Sequence, residues 1–143
     1  AALAHAHYAE LIPDLLHVHP GAIHVALRAI PHVYCVTDGT AATGMPDGMY
    51  MLGSQEVNKC LGGVRLKDGT LAGSTLTMID ALRNLHSIGL SIAEASQRLS
   101  TVPAQYLGLN NRGQLIEQAI ADIVVIDKNL HLHTVYARGE AHA

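Results

Sequence analysis

Asp38 is the residue of this sequence best placed for chemistry. It stands where the apolar run His32-Val33-Tyr34-Cys35-Val36-Thr37 gives way to the small-residue segment that begins Gly39-Thr40. In α/β folds catalytic groups gather at the C-terminal ends of strands, because loops there form a pocket over a rigid sheet. A carboxylate at that point can deprotonate a water and then return the proton to a leaving group. It can equally cap its own loop or the next helix. His17 and His19 are one residue apart, and on a strand that spacing sets both imidazoles on one face. Neutral imidazoles so arranged suit zinc or iron, but two ligands do not complete a site. Hydrogen bonding to a substrate and capping of the strand remain open for the pair. His5-x-His7 and His131-x-His133 repeat the spacing, the latter on a terminal strand whose leucines are expected to face the core and leave the histidines solvated. Gly69-Thr70-Leu71-Ala72-Gly73-Ser74 precedes a predicted helix, where backbone N–H groups can approach an anion such as phosphate. The run has neither the Lys of a P-loop nor the glycine spacing of a dinucleotide fingerprint. Cys60 has no ordered base beside it in sequence and reads as a bystander thiol.

The elements that must hold these groups follow from the apolar pattern. Residues Leu11 to Pro20 read as a strand with its C-terminal loop. Ile23, Ala26, Leu27 and Ile30 fall on one helical face, ended by Pro31. The run from His32 to Thr37 is continuously apolar, as a parallel strand covered on both faces should be. Turn signals at Gly53, Gly62-Gly63 and Asp68-Gly69 predict short strands or hairpins between Tyr50 and Leu71. Ser74 or Thr75 then caps a helix with the stripe Leu76, Ile79, Leu82 and Leu85, ended by Gly89. Ser91-Ile92-Ala93-Glu94 is a capping box opening a second helix to about Leu99. A third runs from Pro103 to Gly108. Two strands, 120–127 and 130–137, close the sequence about a Lys128-Asn129 turn. Strand-then-helix order implies βαβ units on a parallel sheet.

Composition narrows the class. The 143 residues are 49% apolar and 15% charged, which excludes a disordered solvating tail and leaves one domain's worth of core. Nine Lys and Arg against twelve Asp and Glu give a charge of -3 with no basic run, so no nucleic-acid partner is expected. Apolar runs such as Ile123-Val124-Val125-Ile126 are far shorter than a membrane span, and no secretory leader opens the sequence. Two cysteines make no disulfide framework. Without Trp or Phe the core must be aliphatic. A cytoplasmic α/β chain is the expectation.

Three runs, in order, carry a resemblance. Asp14-Leu15-Leu16-His17-Val18-His19-Pro20 matches a pattern Asp-Gly-x-His-Val-x-Pro. Val36-Thr37-Asp38-Gly39 matches a Val-Thr-Asp-x strand end. Gly69 to Ser74, followed by Leu76-Thr77-Met78 and Arg83-Asn84, matches a Gly-Thr-Leu-x-Gly-Ser run. Pro103-Ala104, Leu107-Gly108-Leu109 and Ala121-Asp122-Ile123-Val124 extend the likeness to residues 8–140. With these motifs the sequence resembles the C-terminal part of the N-acetylglucosamine-6-phosphate deacetylases of the amidohydrolase superfamily. The resemblance implies the last βα units of a metal-dependent hydrolase (β/α)8 TIM barrel over residues 1–110 and closing strands of a small β-sandwich over 111–143. It implies hydrolysis of the N-acetyl group of an amino-sugar 6-phosphate, with Asp38 as general base and then acid. His17 would hold the amide carbonyl, a role that displaces its metal-ligand reading, and His19 would be a bystander. Asp14, Leu15, Leu16 and His17 would bind substrate together with Leu71, Ala72 and Gly73. A divalent metal, zinc or iron, would be held by a Glu and two His upstream of Ala1, with no ligand among these residues, and the enzyme would be a homodimer.

Two departures from that pattern stand out. Leu15 occupies the place of a Gly, and Glu117-Gln118-Ala119 occupies that of a Pro-Gly. A second amidohydrolase reading, hydrolysis of a cyclic amide, is opposed by the Gly69–Ser74 run. A third, a non-catalytic binding or assembly module, keeps the scaffold without the chemistry.

Overall fold

Pro20 opens the helix that organises the first third of the fold, since its missing N–H costs nothing in a first turn. The structure, a computed structural model, describes residues 2–142. A short helix α1 (Ala2–His5) leads to strand β1 (Tyr8–Leu11), helix α2 (Pro20–Ala29) and strand β2 (His32–Cys35). β1 and β2 pair in parallel from Tyr8↔His32 to Leu11↔Cys35, so the segment is one βαβ unit. Ile23 and Ala26 turn inward from α2, and Ala26 and Ile30 pack on Val33. Val33, Tyr34 and Cys35 are all buried, as a strand covered on both faces requires.

The strand expected between Leu11 and Pro20 stops at Leu11, and residues 14–18 turn through successive bends. The cause is local. The Asp14 carboxylate accepts from the N–H groups of Leu16 and His17, and Leu15 adopts a left-handed φ of 63°. His17 and His19 therefore share no strand face. His19 instead caps α2, its Nδ1 accepting from Gly21 N–H at 3.1 Å.

The hairpins expected between Tyr50 and Leu71 form a four-stranded antiparallel meander, β3 (Gly48–Leu52), β4 (Gln55–Cys60), β5 (Gly63–Arg65) and β6 (Leu71–Ser74), packed on Ala42, Val57 and Val64. β6 also lies beside the exit of β2 through a parallel bridge, Gly39↔Ser74. Helix α3 (Met78–Ser87) begins later than expected: Thr77 is its cap, because Ser74 is held in β6. Gly89, at φ 105°, follows its end. The Ser91–Glu94 capping box forms with both bonds and opens α4 (Ile92–Ser96). A π-helical turn over Gln97–Thr101 carries that helix into α5 (Val102–Tyr106), so the expected second and third helices are continuous.

The terminal sheet holds β7 (Ile123–Ile126), β8 (Leu132–Ala137) and β9 (Glu140–His142), all antiparallel. β9, which follows a turn at Arg138-Gly139, was not legible from hydropathy: Glu140-Ala141-His142 has no apolar face to read. His131 and His133 are exposed as expected, but Leu132 is 48% exposed as well. Val124 and Val125, which point to opposite faces, are 59% and 39% exposed too, so neither face of this sheet is covered among the described residues. Arg83 ties this sheet to α3, donating from Nε and Nη2 to the Leu130 carbonyl at 3.0 and 2.8 Å.

The main core cluster, Ile23, Cys35, Leu85, Leu90 and Ala95, joins α2, β2, α3 and α4. Replacing fully buried Leu85 by Ala is expected to cost about 2–5 kcal/mol. Ser91→Ala, which removes the two bonds of the Ser91 hydroxyl to Glu94 at the surface, is expected to cost about 1 kcal/mol. Urea denaturation measures both, and equal losses would contradict this distribution of packing.

Candidate functional site

The parallel pairing of β1 and β2 sets the loops that follow them at one end of the unit, and these loops carry His17 and Asp38. Asp38 is exposed and sits at φ 50°, a left-handed conformation that Asp tolerates because its side chain is short and polar. Its backbone is locked by β6. Ser74 N–H donates to Asp38 O at 3.0 Å, and Thr40 N–H donates to Ser74 O at 3.1 Å. Gly73 lies against this crossing with φ 142°. A Cβ there would stand 2.6 Å from Thr40 Cγ2 and 3.9 Å from Asp38 Oδ2, so only glycine fits. The second Gly of Gly-Thr-Leu-Ala-Gly-Ser thus has a spatial reason: the Asp38 loop passes over it.

The anion-binding reading of that run fails. Residues 71–74 are strand β6, not a loop opening a helix, and at the start of α3 the Asp80 N–H is taken by the Thr77 cap. Thr77 Oγ1 accepts from Asp80 N–H and donates to the Asp80 carboxylate, which in turn holds Arg83 Nη1. Of the other residues of the run, Leu71 is half-buried with Cδ2 close to Gly63, and Ala72 packs beside the Val57–Val64 cluster.

His17 is fixed by Asp14. Its Nδ1 lies 2.6 Å from Asp14 Oδ2, and the Asp14 side chain is only 3% exposed. A carboxylate only accepts, so Nδ1 carries the proton. Nε2 is then an acceptor in the neutral ring and a donor once the ring is doubly protonated. Burial alone would raise the Asp14 carboxyl, but the His17 backbone N–H, the His17 ring and the Leu16 N–H outweigh it and hold the group below its ordinary value. Asn84 supports the same loop from α3, donating from Nδ2 to Pro13 O at 2.9 Å. Leu15 points into the main core cluster, whereas Leu16 is exposed, with Cδ1 near Gly63. A cavity of about 310 Å³ adjoins the loop, bounded by Asp14, Leu16, Leu61, Thr75 and Asn84 among others.

Among the described residues, no group of three His, Cys, Asp or Glu side chains is arranged to hold a metal ion. His17 lies on a bent loop and His19 at the cap of α2, so the His-x-His pair does not share the strand face that would aim both rings at one ion. Cys35 is an inert buried thiol: burial pushes it up to about 12, and the charge of Arg98 offsets this only in part. Sequence reasoning missed Thr40, Ser74, Thr75 and Asn84 as supports of the site. Their roles are hydrogen bonds between segments far apart in sequence, and hydropathy carries no trace of them.

Residues 24–141 match the Amidohydrolase family profile. The chain therefore belongs to the amidohydrolase family. It is 42% identical over 134 residues to an N-acetylglucosamine-6-phosphate deacetylase of Lysinibacillus sphaericus, covering 92% of this chain and 35% of that protein. It is 39% identical over 134 residues to an N-acetylgalactosamine-6-phosphate deacetylase of Escherichia coli O157:H7, covering 92% and 36%. Among solved structures, N-acetylglucosamine-6-phosphate deacetylase from Thermotoga maritima superposes with a TM-score of 0.85 at 35% identity, over 92% of this chain and 37% of that one. The chain thus spans about a third of the length of these relatives.

Two outcomes follow from this geometry. Gly73→Ala is expected to destabilise the protein by about 1–3 kcal/mol, through both the Thr40 clash and the left-handed φ. A neutral result in chemical denaturation would contradict the tight crossing. Because the folded Asp14 carboxyl titrates below its unfolded value of about 3.8, its contribution is present above that pH and is lost as pH falls through the folded value. The stability gap between wild type and Asp14→Asn is therefore expected to be full near neutrality and to shrink below about pH 4. Denaturation midpoints at pH 7 and pH 3 measure it.

Proposed function

We propose that this chain is the C-terminal part of a deacetylase that removes the acetyl group from N-acetylglucosamine 6-phosphate, giving glucosamine 6-phosphate and acetate. In this reading residues 1–110 supply the last βα units of a (β/α)8 barrel and residues 111–143 the closing strands of a small β-sandwich. The observation that carries the proposal is the crossing of the β2 exit with β6, which brings the Asp38 carboxylate against Gly73. Both halves of that crossing belong to sequence runs characteristic of the deacetylases.

Asp38 acts as the general base: it takes a proton from the water that attacks the amide carbonyl carbon. It then gives that proton to the nitrogen as the C–N bond breaks, so that acetate and the free amine leave. His17, oriented by Asp14, donates from Nε2 to the carbonyl oxygen when its ring is doubly protonated, which stabilises the negative charge that develops there. Asp14, Leu15, Leu16, Leu71, Ala72 and Gly73 frame the substrate, Leu15 by fixing the loop from within the core. The family is generally metal-dependent, and zinc or iron is the proposed ion. A Glu and two His outside the described residues are its proposed ligands. The substrate is a small amino-sugar phosphate, and a cytoplasmic homodimer is the proposed form.

In the full-length polypeptide that carries these residues, Asp38→Asn is expected to lower kcat by about 10²–10⁴-fold while KM changes little. Steady-state acetate release from N-acetylglucosamine 6-phosphate measures it, with the 4-epimer assayed in parallel. An unchanged kcat would return the chain to a non-catalytic role.

A further inference from the structure

Ser74 is the one fully buried polar residue among those described. It is enclosed on both sides. Within the meander it pairs with Gly63 of β5, and across the parallel bridge it meets Gly39, the residue that follows Asp38. A hydroxyl sealed in such a place is costly unless it is hydrogen-bonded. Ser74 Oγ accepts from Leu76 N–H at 2.9 Å, and Leu76 is itself buried. Removing Oγ would therefore leave a buried N–H without that acceptor.

That bond closes the turn by which the chain leaves β6 for the Thr77 cap of α3. The turn meets the Asp38 loop at three successive residues. Ser74 N–H donates to Asp38 O at 3.0 Å. Ser74 O accepts from Thr40 N–H at 3.1 Å and from Thr40 Oγ1 at 3.3 Å. Between them, Leu76 O stands 3.9 Å from where a Cβ on Gly39 would lie. The residues flanking Gly39 are thus clamped by the Ser74 backbone, and Gly39 is backed by the far end of the same turn.

We propose that Ser74 is a positioning residue for the reaction: its hydroxyl, by holding Leu76 N–H, keeps the turn closed on residues 38–40 and so fixes the direction of the Asp38 carboxylate. This rests on the function proposed above, in which Asp38 is the general base. The hydroxyl touches no reacting atom and acts through Asp38. Its loss therefore lowers the rate of the chemical step far more than it changes substrate binding.

The test is a double-mutant cycle in the full-length polypeptide, with Ser74→Ala made in the wild type and in Asp38→Asn. It is read by kcat and KM for acetate release from N-acetylglucosamine 6-phosphate and by melting temperature. In the wild-type background Ser74→Ala is expected to lower kcat about 10–100-fold with KM little changed, the scale of a misplaced catalytic group. In the Asp38→Asn background it is expected to leave the residual kcat unaltered, while the melting temperature falls equally in both. Ser74→Cys keeps the volume but offers only a weak sulfur acceptor, so it gives the same pattern where Ser74→Ala does not fold. Equal falls of kcat in the two backgrounds, or no fall in either, overturn the role of Ser74, because it would then serve the fold alone. An Asp38→Asn protein as active as wild type, or a wild type that releases no acetate, overturns the proposed function itself and this role with it.

Discussion

Two backbone hydrogen bonds, Ser74 N–H to Asp38 O and Thr40 N–H to Ser74 O, decide where the candidate chemistry stands. Each is worth only about 0.5–1.5 kcal/mol net. Their importance lies in what they join: the exit of the parallel βαβ unit and the last strand of an antiparallel meander, segments 34 residues apart. Without that crossing, Asp38 would ride on a free loop, and its carboxylate would pay ordering entropy for any encounter with a substrate. With it, the left-handed backbone at Asp38 is held from both sides. The glycine at 73 is the steric condition for the crossing, because any Cβ would drive into Thr40.

Helix α3 performs the matching task for the second candidate group. Successive residues point opposite ways in function: Asn84 reaches back to Pro13 O and fixes the loop in which Asp14 grips His17, while Arg83 reaches forward to Leu130 O and fixes the terminal sheet. The helix itself is anchored through Ala81 and Leu85 in the interior. The position of His17 therefore depends on packing more than 60 residues away in sequence. The Asp14 pair adds orientation, since a nearly buried carboxylate that accepts three hydrogen bonds leaves the imidazole no other arrangement of comparable energy.

What the sequence discloses follows from how local each cause is. Helix α2, strand β2, the capping box at Ser91 and the hairpins between Tyr50 and Leu71 were legible because their determinants lie within a few residues: periodicity, a continuous apolar run, a cap and its partner, glycine turns. Asp38 and Gly73 stood out by residue type, but their meeting did not, since nothing local announces that the loop after β2 will cross β6. The His17 segment misled for the opposite reason. Its apolar residues resemble a strand, and the Asp14 side chain, by bonding two backbone N–H groups, diverts the chain into a bend. The terminal sheet misled in a third way: its alternation implied one covered face, and both faces are exposed at Val124 and Val125.

The distribution of left-handed residues shows how fold and site trade against each other. Six non-glycine residues among those described have positive φ: Leu15, Asp38, Leu61, Gln118, Leu130 and Arg138. Glycine would relieve each locally, yet it would also loosen the unfolded chain and surrender a side chain. Leu15 stands where the resembling family has Gly, and its side chain joins the main core cluster, so strain is exchanged for buried area within the fold. At Asp38 no such area is gained, for the residue is exposed. What its conformation secures is direction: a short polar side chain leaves the strand end at an angle that an extended backbone would not give. Leu15 is thus strain offset by burial, whereas at Asp38 the offset is the pair of backbone hydrogen bonds to Ser74, which hold the residue from both sides without burying it.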